Sequence, residues 1–422
     1  MKILLISSIS PYRGPGAIVL EMKKALELAN HEVTILTKYR EPSLPFIKSV
    51  FPPINVLRKY IDLISWNIKL LWQRPNYFFF YRSDKNPPVS TRKVLKAIDD
   101  NYDMVYIWFY QDLLSFKTIY KLYEKLKVPF LFSPPDYSIM TGGCHFMNNC
   151  LEYTNGCKKC KGIKFGHFPR KNVIYRNKVL DIIKPKILCN SYMQSRFLES
   201  TLFKMSDNLY SVHPIIDLDV FCERDGTAIK IAKGIEPQKK VLLFGAQELS
   251  NERKGIRYLI QALNVLYDRL PEDYRRAIQI VSIGKKNTEL TSKIKFNVLE
   301  LGYLKFTELP DIYAMASIYL SPSVVDAGPL MVNQALACGT PVVSFEIGTA
   351  IEVIKNQGTG YCAKVRDYVD FANGIYKILM LSTAEYSNMR RNCRKISIDT
   401  VSYANFAKVV ENAYNDFKNG DE

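Results

Sequence analysis

The sequence lacks any long hydrophobic run, and no stretch approaches the ~20 apolar residues that a membrane-spanning helix needs. An export signal is missing too, because the apolar run after Lys2 is short and no cleavage pattern follows it. These two absences predict a cytoplasmic protein, in which thiols stay reduced. Global disorder is also excluded, since 47% of the residues are hydrophobic and only 23% are charged.

Acidic residues are scarce relative to basic ones. Lysine and arginine number 58 against 41 aspartates and glutamates, so the formal net charge is +17. A basic surface attracts nucleic acid, anionic lipid or phosphorylated substrates. The basic runs lie on no recognisable nucleic-acid reading motif, so nucleic acid is not an expected partner. A dinucleotide enzyme is excluded as well, because Val19 stands where the fingerprint begun by Gly14 and Gly16 needs a third glycine.

The order of apolar runs and glycine turns indicates two α/β domains. The chain opens as strand, glycine turn, helix and strand, and the same pattern restarts at the predicted strand Val241–Gly245. We therefore predict two doubly wound, Rossmann-like domains, residues 1–216 and 217–400, that face one another across a cleft. The segment 401–422 has apolar residues at helical spacing and is a candidate to pack back on the first domain.

Residues 38–100 interrupt the first domain with aromatic side chains interleaved with lysine and arginine. This mixture suits the headgroup layer of a membrane, and it suits equally a helical hairpin packed on the domain. A second basic run, 158–186, holds ten lysines or arginines against one acid, Asp181. Together the two segments favour an anionic membrane surface as a partner, with the protein peripheral at the inner face of the cell membrane.

The segment from Ser321 to Ile347 carries the most informative chemical pattern. It predicts a strand end, an acidic loop, a helix start, a Cys-Gly-Thr-Pro turn and another buried strand. The first N–H groups of such a helix would bind a phosphate or diphosphate, and an amide one turn further on would hydrogen-bond vicinal hydroxyls. An ordinary capped helix fits the same pattern. The residues concerned are Asp326, Gly328, Pro329, Leu330, Met331 and Gln334.

The pattern Asp-x7-Gln followed by ALACGTPVV resembles the nucleotide-sugar site of the retaining GT-B glycosyltransferases of glycosyltransferase family 4, which have Glu-x7-Glu in this place. Further segments match that family in the same order along the chain: GPGAIVLEMKKAL, VHPIIDLDVF, FGAQELSNERKGIRYLIQAL and LGYLKFTELPDIYAMASIYLSPS. The chain is similar in particular to an exopolysaccharide, colanic-acid-type subgroup with a cysteine-rich loop. The resemblance implies a GT-B fold and sugar transfer with retention of anomeric configuration.

The resemblance also implies roles for the matching residues. Arg253 and Lys254 would neutralise the diphosphate of the donor, and Gly16 would let the backbone approach it. Gln334 would hold the ribose where the family usually has glutamate, and Asp326 would accept hydrogen bonds from the donor sugar. No metal or other cofactor is required for catalysis in this scheme, because cations and helix N–H groups stabilise the leaving diphosphate.

Several positions depart from the family pattern. Asp326 and Gln334 replace its two glutamates, and Ala246 stands where an arginine is common. In the first domain Pro135 occupies the position of the usual histidine, which leaves Asp136 as the catalytic candidate there.

Four of the nine cysteines cluster in the loop 141–162 with the spacing C-x5-C-x6-C-x2-C: Cys144, Cys150, Cys157 and Cys160. This spacing suits a closed structural zinc site. It also suits unligated packing or, less well in a reducing compartment, disulfides or a redox role. A catalytic zinc is excluded because four thiolates leave no open coordination position.

These observations predict a hexosyltransferase that takes a sugar from a nucleotide diphosphate carrier and adds it to a lipid-linked saccharide in capsule or exopolysaccharide biosynthesis. Two alternatives stay open. One is a GT-B-fold protein that binds sugar or a partner without catalysis, which the altered residues 135, 326 and 334 favour. The other is a nucleotide-sugar epimerase of similar fold, against which the transferase-like stretch 326–343 counts.

Overall fold

The computed structural model describes residues 1–11, 14–54, 56–200 and 206–420. The chain divides into two compact units, of which the first comprises Met1–Ile215 with Tyr403–Glu422 and the second Ile216–Ser402. The boundary predicted between residues 216 and 217 lies one residue from this division, and the C-terminal segment groups with the first unit.

The described part of the first unit is built around one parallel sheet. Its strands are β1 (Lys2–Ser7), β2 (Glu32–Tyr39), β3 (Lys48–Phe51), β4 (Met104–Phe109), β5 (Phe130–Phe132), β6 (Lys186–Leu188) and β7 (Leu209–Tyr210). They are ordered β3-β2-β1-β4-β5-β6-β7, and every neighbouring pair is parallel. All residues of the central strand β4 are buried, and its sequence MVYIWF is correspondingly apolar throughout.

The α-helices described in the first unit before its boundary are α1 (Ile18–Leu28), α2 (Val56–Trp72), α3 (Thr91–Lys96), α4 (Phe116–Leu126), α5 (Phe168–Ile183) and α6 (Ser191–Leu198). Helix α4 shows how the sequence sets these elements. Ser115 caps its start by accepting a hydrogen bond from the N–H of Thr118, and Lys127 ends it in the left-handed conformation. Short 3-10 helices lie at Gly14–Ala17, Tyr137–Ile139, Glu152–Asn155 and Ser206–Asn208.

The second unit is built around a six-stranded parallel sheet. Its strands are β8 (Lys240–Glu248), β9 (Ile278–Lys285), β10 (Val298–Gly302), β11 (Ile318–Ser321), β12 (Val342–Phe345) and β13 (Gly360–Ala363), ordered β10-β9-β8-β11-β12-β13. Apolar side chains pack against both faces of this sheet, in one cluster that includes Leu242 and Phe345 and another that includes Leu243 and Val342. Alternate residues of a strand point to opposite faces, so neighbouring residues fall in different clusters.

The α-helices of the second unit are α7 (Gly226–Ala232), α8 (Ile256–Arg269), α9 (Glu272–Arg276), α10 (Thr288–Thr291), α11 (Leu309–Met315), α12 (Leu330–Ala337), α13 (Ala350–Val353), α14 (Tyr368–Leu379) and α15 (Thr383–Val401). Two 3-10 helices lie at Glu252–Lys254 and Phe306–Glu308. Helix α15 begins with a capping box, in which Ser382 and Glu385 satisfy each other's backbone N–H groups.

The last helix, α16 (Tyr403–Gly420), packs within the first unit. The ring of Phe406 stacks on that of Tyr106 in β4, with 6.1 Å between their centroids. Glu411 lies 2.9 Å from the Nε2 atom of His31, which follows α1. The apolar spacing in the segment 401–422 therefore corresponds to a helix that covers the first sheet.

The strand, helix and strand predicted at the start of the chain correspond to β1, α1 and β2, and the predicted strand Val241–Gly245 lies within β8. Strand β3 extends the edge of the first sheet beside β2, and β13 extends the second sheet beside β12. The insert 38–100 is not a helical hairpin: it contributes β3, the long helix α2 and the short helix α3. Among the described residues, no helix combines the length and apolar character needed to cross a membrane.

Candidate functional site

Two strand-end loops of the second unit lie side by side. Strands β8 and β11 are parallel neighbours, with Phe244 paired to Leu320. The carboxyl ends of parallel strands lie at the same edge of a sheet, and this edge is where Rossmann-like units bind ligands. The loop after β8 contains the turn Glu252–Lys254, and the loop after β11 contains Asp326. The two predicted cations and the predicted acid thus leave the sheet at adjacent points.

A glycine fixes the turn Glu252–Lys254 against the neighbouring loop. Gly255 ends the turn with a φ of +65°, and a Cβ at this position would lie 1.9 Å from the carbonyl oxygen of Pro322. Only glycine permits both the left-handed conformation and this close approach. The carbonyl oxygen of Arg253 also accepts a hydrogen bond from the N–H of Val324 at 2.8 Å. The backbone therefore holds the cationic turn against the loop that follows β11.

Asp326 is the point at which both predicted cations converge. Lys254 donates from Nζ to Oδ2 of Asp326 at 2.8 Å, and a guanidinium nitrogen of Arg253 lies 3.8 Å from the same oxygen. Arg253 also donates to the carbonyl oxygen of Val325 at 2.9 Å. Burial acts to raise the pKa of Asp326, but the charges of Lys254 and Arg253 and the hydrogen bonds that Asp326 accepts outweigh it, so this pKa is lowered. Asp326 is therefore a carboxylate at neutral pH.

The loop after β11 leads directly into helix α12. Pro329 is the residue before its first turn and offers no side chain to cap the N–H groups of Leu330 and Met331. Oδ1 of Asp326 accepts a hydrogen bond from the N–H of Gly328 at 3.3 Å. An uncapped helix start carries partial positive charge, which suits an anion.

Gln334 lies inside α12 and is only 2% exposed. Its Oε1 atom accepts a hydrogen bond from the hydroxyl of Tyr313, at 2.9 Å. Tyr313 is a buried residue of α11. The amide predicted to hold a ribose is therefore already fixed on one side by a neighbouring helix.

Gly16 and Asp136 lie in the first unit, whereas the other predicted site residues lie in the second. A Cβ at Gly16 would lie 2.0 Å from the carbonyl oxygen of Ser10. Packing against Ser10 is therefore by itself a sufficient reason for glycine at position 16. The assignment of Gly16 and Asp136 to the same site as Lys254 stays a prediction.

Asp136 is paired with a histidine that the sequence analysis did not assign. Nδ1 of His145 lies 2.6 Å from Oδ2 of Asp136, and Oδ1 accepts a hydrogen bond from the N–H of Ser138 at 2.8 Å. Burial acts to raise the pKa of Asp136, but the charge of His145 and the hydrogen bonds outweigh it, so the pKa is lowered. Pro135 stands at the usual histidine position in the sequence, yet the fold supplies a histidine from nine residues beyond Asp136.

The second ring nitrogen of His145, Nε2, is unusual because it is a buried polar atom in an apolar environment. Nε2 is buried and has no hydrogen-bond partner among the residues that the structure describes. The imidazole is surrounded by aromatic rings, those of Phe78, Phe80, Phe109 and Phe146. An unsatisfied buried nitrogen costs about 1–3 kcal/mol, so Nε2 is a candidate binding point only for a group that can enter among these rings.

A buried arginine holds the loop that carries Asp136. Arg176 of α5 is 1% exposed and donates to Oδ2 of the equally buried Asp84 at 2.7 Å. Its other terminal nitrogen donates to the carbonyl oxygens of Ser138, Ile139 and Thr141. One cation thus neutralises a buried carboxylate, and the two N–H groups of one of its nitrogens are shared among three carbonyl oxygens of the loop 138–141. The position of the Asp136–His145 pair depends on this network.

The four clustered cysteines line one small cavity together with Tyr77 and Met147. All four are free thiols. Burial raises the pKa of Cys144, Cys157 and Cys160, which favours the protonated thiol, and Cys157 Sγ accepts a hydrogen bond from the N–H of Gly142 at 3.1 Å. In the described part of the chain, no three His, Cys, Asp or Glu side chains are arranged to hold a metal ion. The possible structural zinc site stays a prediction, and so do the alternatives of unligated packing and of disulfides or a redox role.

The sequence analysis missed three residues of these two sites: His145, Arg176 and Tyr313. His145 had one available signal, since it is one of only four histidines and directly follows the clustered Cys144. Arg176 was hidden in the basic run 158–186, in which most charges are exposed. Its burial depends on Asp84, ninety-two residues away, and no local pattern reveals such a pairing.

We expect replacement of His145 by phenylalanine to destabilise the first unit. The variant keeps a ring among the aromatic neighbours but removes the partner of Asp136, at a cost of about 1–3 kcal/mol. The pKa of Asp136 should rise, because burial is then opposed by fewer groups. Urea unfolding at neutral pH and carboxyl carbon NMR measure the two effects. The same substitution at the exposed His167 is the control, and equal losses in both variants would contradict the assignment.

We expect replacement of Arg176 by methionine to cost about 3–5 kcal/mol of unfolding free energy, because it leaves Asp84 buried and unpaired. Chemical denaturation measures the loss. A double variant that also carries Asp84→Asn should recover part of it, since the uncompensated charge is removed. A double variant as unstable as Arg176→Met alone would show that the ion pair is not the source of the effect.

Comparison with known proteins finds relatives for the second unit and for most of the chain. Residues 238–380, about a third of the chain, match the family model described as Glycosyl transferases group 1. The N-acetyl-alpha-D-glucosaminyl L-malate synthase of Bacillus anthracis is 23% identical over 372 residues, which cover 87% of this chain and 84% of that protein. The matched segment includes both strand-end loops around Asp326.

Solved structures resemble both units. The sucrose-phosphate synthase of Thermosynechococcus elongatus superposes with a TM-score of 0.65 at 15% identity, covering 99% of each chain. Anabaena HepE in complex with UDP gives the same TM-score and identity, covering 99% of this chain and all of that one. The predicted fold class is confirmed: the second unit carries the Glycosyl transferases group 1 pattern, and the chain has the α/β fold of GT-B glycosyltransferases.

Proposed function

We propose that this protein is a glycosyltransferase that transfers a hexose from a nucleotide diphosphate sugar to a lipid-linked saccharide, with retention, in the synthesis of a cell-surface polysaccharide. The observation that carries the proposal is the convergence of Lys254 and Arg253 on Asp326, beside the uncapped start of α12. All of these residues lie within the segment that matches the family model.

The proposed donor site stabilises a leaving diphosphate by charge. Negative charge grows on the diphosphate as its bond to the anomeric carbon breaks, and preorganised donors lower the energy of that state. Lys254 has three N–H donors, of which the contact with Asp326 uses one. The guanidinium of Arg253 and the N–H groups of Leu330 and Met331 add further positive potential. In this assignment Asp326 orients Lys254 and accepts hydrogen bonds from hydroxyl groups of the sugar.

UDP-sugars are the first donors to test. The similar Anabaena HepE structures are described as complexes with UDP and with UDP-glucose. The name of the Bacillus anthracis relative joins an N-acetylglucosaminyl group to L-malate, which is a small acceptor. Our proposal of a lipid-linked acceptor rests instead on the exposed apolar and basic surface of the first unit.

We infer that His145, rather than Asp136, would contact the ligand in the first unit. Asp136 is 3% exposed, and both of its carboxylate oxygens face protein groups. It is therefore a positioning residue for the imidazole. Nε2 of His145 has no hydrogen-bond partner among the described residues, whereas Oδ2 of Asp136 lies against Nδ1; Nε2 is itself buried, so a ligand hydroxyl would have to displace a surrounding ring to satisfy it.

Turnover by the purified full-length protein tests the proposed function. We expect UDP- or GDP-sugars to raise its melting temperature, and the stabilising donor to release nucleotide faster when a lipid-linked saccharide is added. Stabilisation without turnover would indicate a non-catalytic binding protein. Conversion of the sugar without an acceptor would indicate an epimerase.

Replacing Lys254 with alanine should weaken the interaction with the diphosphate by about 1.5–3 kcal/mol, the size of a charge-assisted hydrogen bond. This loss corresponds to about a tenfold to hundredfold fall in kcat/KM and in affinity for UDP. Calorimetric titration with UDP and initial rates measure the two quantities. Lys293→Ala, an exposed lysine of the same unit, is the matched control and should leave both unchanged.

A double variant separates ligand binding from the internal ion pair. Lys254→Ala with Asp326→Asn removes both partners, so no carboxylate is left unpaired, and UDP lacks the donor sugar that Asp326 is proposed to contact. We expect UDP affinity to stay low in this variant. Recovery of wild-type affinity would mean that Lys254 only neutralises Asp326, and the diphosphate assignment would be wrong.

A further inference from the structure

Helix α2 presents two opposite faces with contrasting surroundings. Asp62, Trp66 and Lys69 recur at intervals of three or four residues and therefore share one face. This face is attached to the unit: the hydroxyl of Tyr39 donates to Asp62 at 3.0 Å, and Lys69 lies 3.6 Å from Asp112. The ring of Trp66 also stacks on Phe78, with 4.5 Å between centroids. This side of α2 thus makes polar contacts with the unit through Asp62 and Lys69, and its Trp66 stays 44% exposed.

The opposite face of α2 is apolar and exposed. Its side chains follow the same helical spacing, about half a turn away from Trp66, and are between 46% and 69% exposed: Leu57, Tyr60, Ile61, Ile64, Ile68 and Leu71. We call these six residues the apolar stripe. An amphipathic helix of a globular protein normally turns its apolar face to the core. On helix α2 the apolar face is exposed instead. An exposed apolar patch of this kind is typical of a surface that binds another molecule or a membrane.

A cluster of lysines lies next to the end of α2. The residues after the helix pair with the cysteine-rich loop, since the N–H of Lys164 donates to the carbonyl of Trp72 at 2.9 Å and the N–H of Arg74 to that of Gly162 at 3.0 Å. This pairing brings four exposed lysines beside the helix: Lys158, Lys159, Lys161 and Lys164. Phe165, directly after them, is 70% exposed.

We propose that the apolar stripe and these four lysines form one membrane-docking surface, with α2 lying in the headgroup layer of an anionic membrane. The stripe would contact the boundary of the acyl chains, and the lysines would contact phosphate groups of the lipid. Exposed apolar side chains match the acyl chains of a membrane, and exposed lysines match its negatively charged headgroups. This inference extends the proposed function by naming the element that brings the protein to a lipid-linked acceptor.

Charge and shape favour lipid over another protein as the occupant. The four lysines outnumber the one nearby acid, Glu152, which accepts a hydrogen bond from the N–H of Lys159, and the chain carries a net charge of +17, which opposes close approach of a second copy. Among the six residues of the stripe, the hydroxyl of Tyr60 is the one polar group, so the stripe offers little to fix the register of a partner. A fluid headgroup layer needs no such register.

Vesicle sedimentation with the full-length protein tests this proposal. We expect binding to vesicles of phosphatidylcholine with phosphatidylglycerol, and much weaker binding to phosphatidylcholine alone. Ile64→Asp with Ile68→Asp should weaken binding by about tenfold or more, because charged groups then enter the apolar boundary. Substitution of the four lysines by glutamine should remove the preference for the anionic lipid. Circular dichroism and melting temperature should stay unchanged, since all of these side chains are exposed.

Matched variants in the second unit serve as controls. Tyr303→Asp with Ile398→Asp changes two apolar residues that are 75% and 50% exposed, and glutamine at Lys285, Lys286, Lys293 and Lys305 removes the same charge. Neither should alter vesicle binding. Vesicle binding requires no donor or acceptor, so this test can fail while the proposed transfer stands. Turnover of a soluble acceptor analogue should be normal in Ile64→Asp with Ile68→Asp.

Three results would overturn the proposal. The first is a wild-type protein that binds neither kind of vesicle. The second is binding that Ile64→Asp with Ile68→Asp leaves intact. The third is a wild-type dimer in light scattering that this variant dissociates, without vesicle binding, because a second copy would then cover the stripe.

Discussion

The contact between Lys254 and Asp326 is the interaction on which the proposed donor site depends. It joins the loops that follow two neighbouring strands, and it keeps both a cation and a carboxylate at the edge of the second sheet. Because Asp326 is only 12% exposed, its charge has a desolvation cost, and the opposite charge of Lys254 offsets it. Gly255 is the structural condition for this contact, because a side chain there would push the cationic turn away from Pro322.

In the first unit, a different hydrogen-bond network satisfies a buried carboxylate and the backbone groups around it. A loop that carries a buried carboxylate, Asp136, must satisfy many backbone groups away from water. Arg176 provides the donors for three of its carbonyls and is itself neutralised by Asp84. The result is a rigid setting in which one nitrogen of His145 meets Asp136 and the other has no partner among the described residues. Stability and a candidate binding point thus arise from one network.

The sequence predicted what depends on local pattern. Parallel strands such as β4 are apolar throughout, and the loop before α12 is bounded by glycine and proline, so the two sheets and the acidic loop were recognisable. Strand β3 was missed because its half-buried sequence KSVF lies in an insert with mixed composition. The pairing of His145 with Asp136 could not be predicted, since it requires the loop to fold back. The cysteine spacing suits a structural zinc site, but spacing does not fix where the sulfur atoms point, so this assignment stays a prediction.

A crystal structure of the full-length protein with UDP bound tests the central claim most directly. The account predicts diphosphate oxygens within about 3.2 Å of Nζ of Lys254 and of the guanidinium of Arg253, next to the N–H groups of Leu330 and Met331. A nucleotide bound away from this edge of the second sheet, or a Lys254 still engaged only by Asp326, would contradict it.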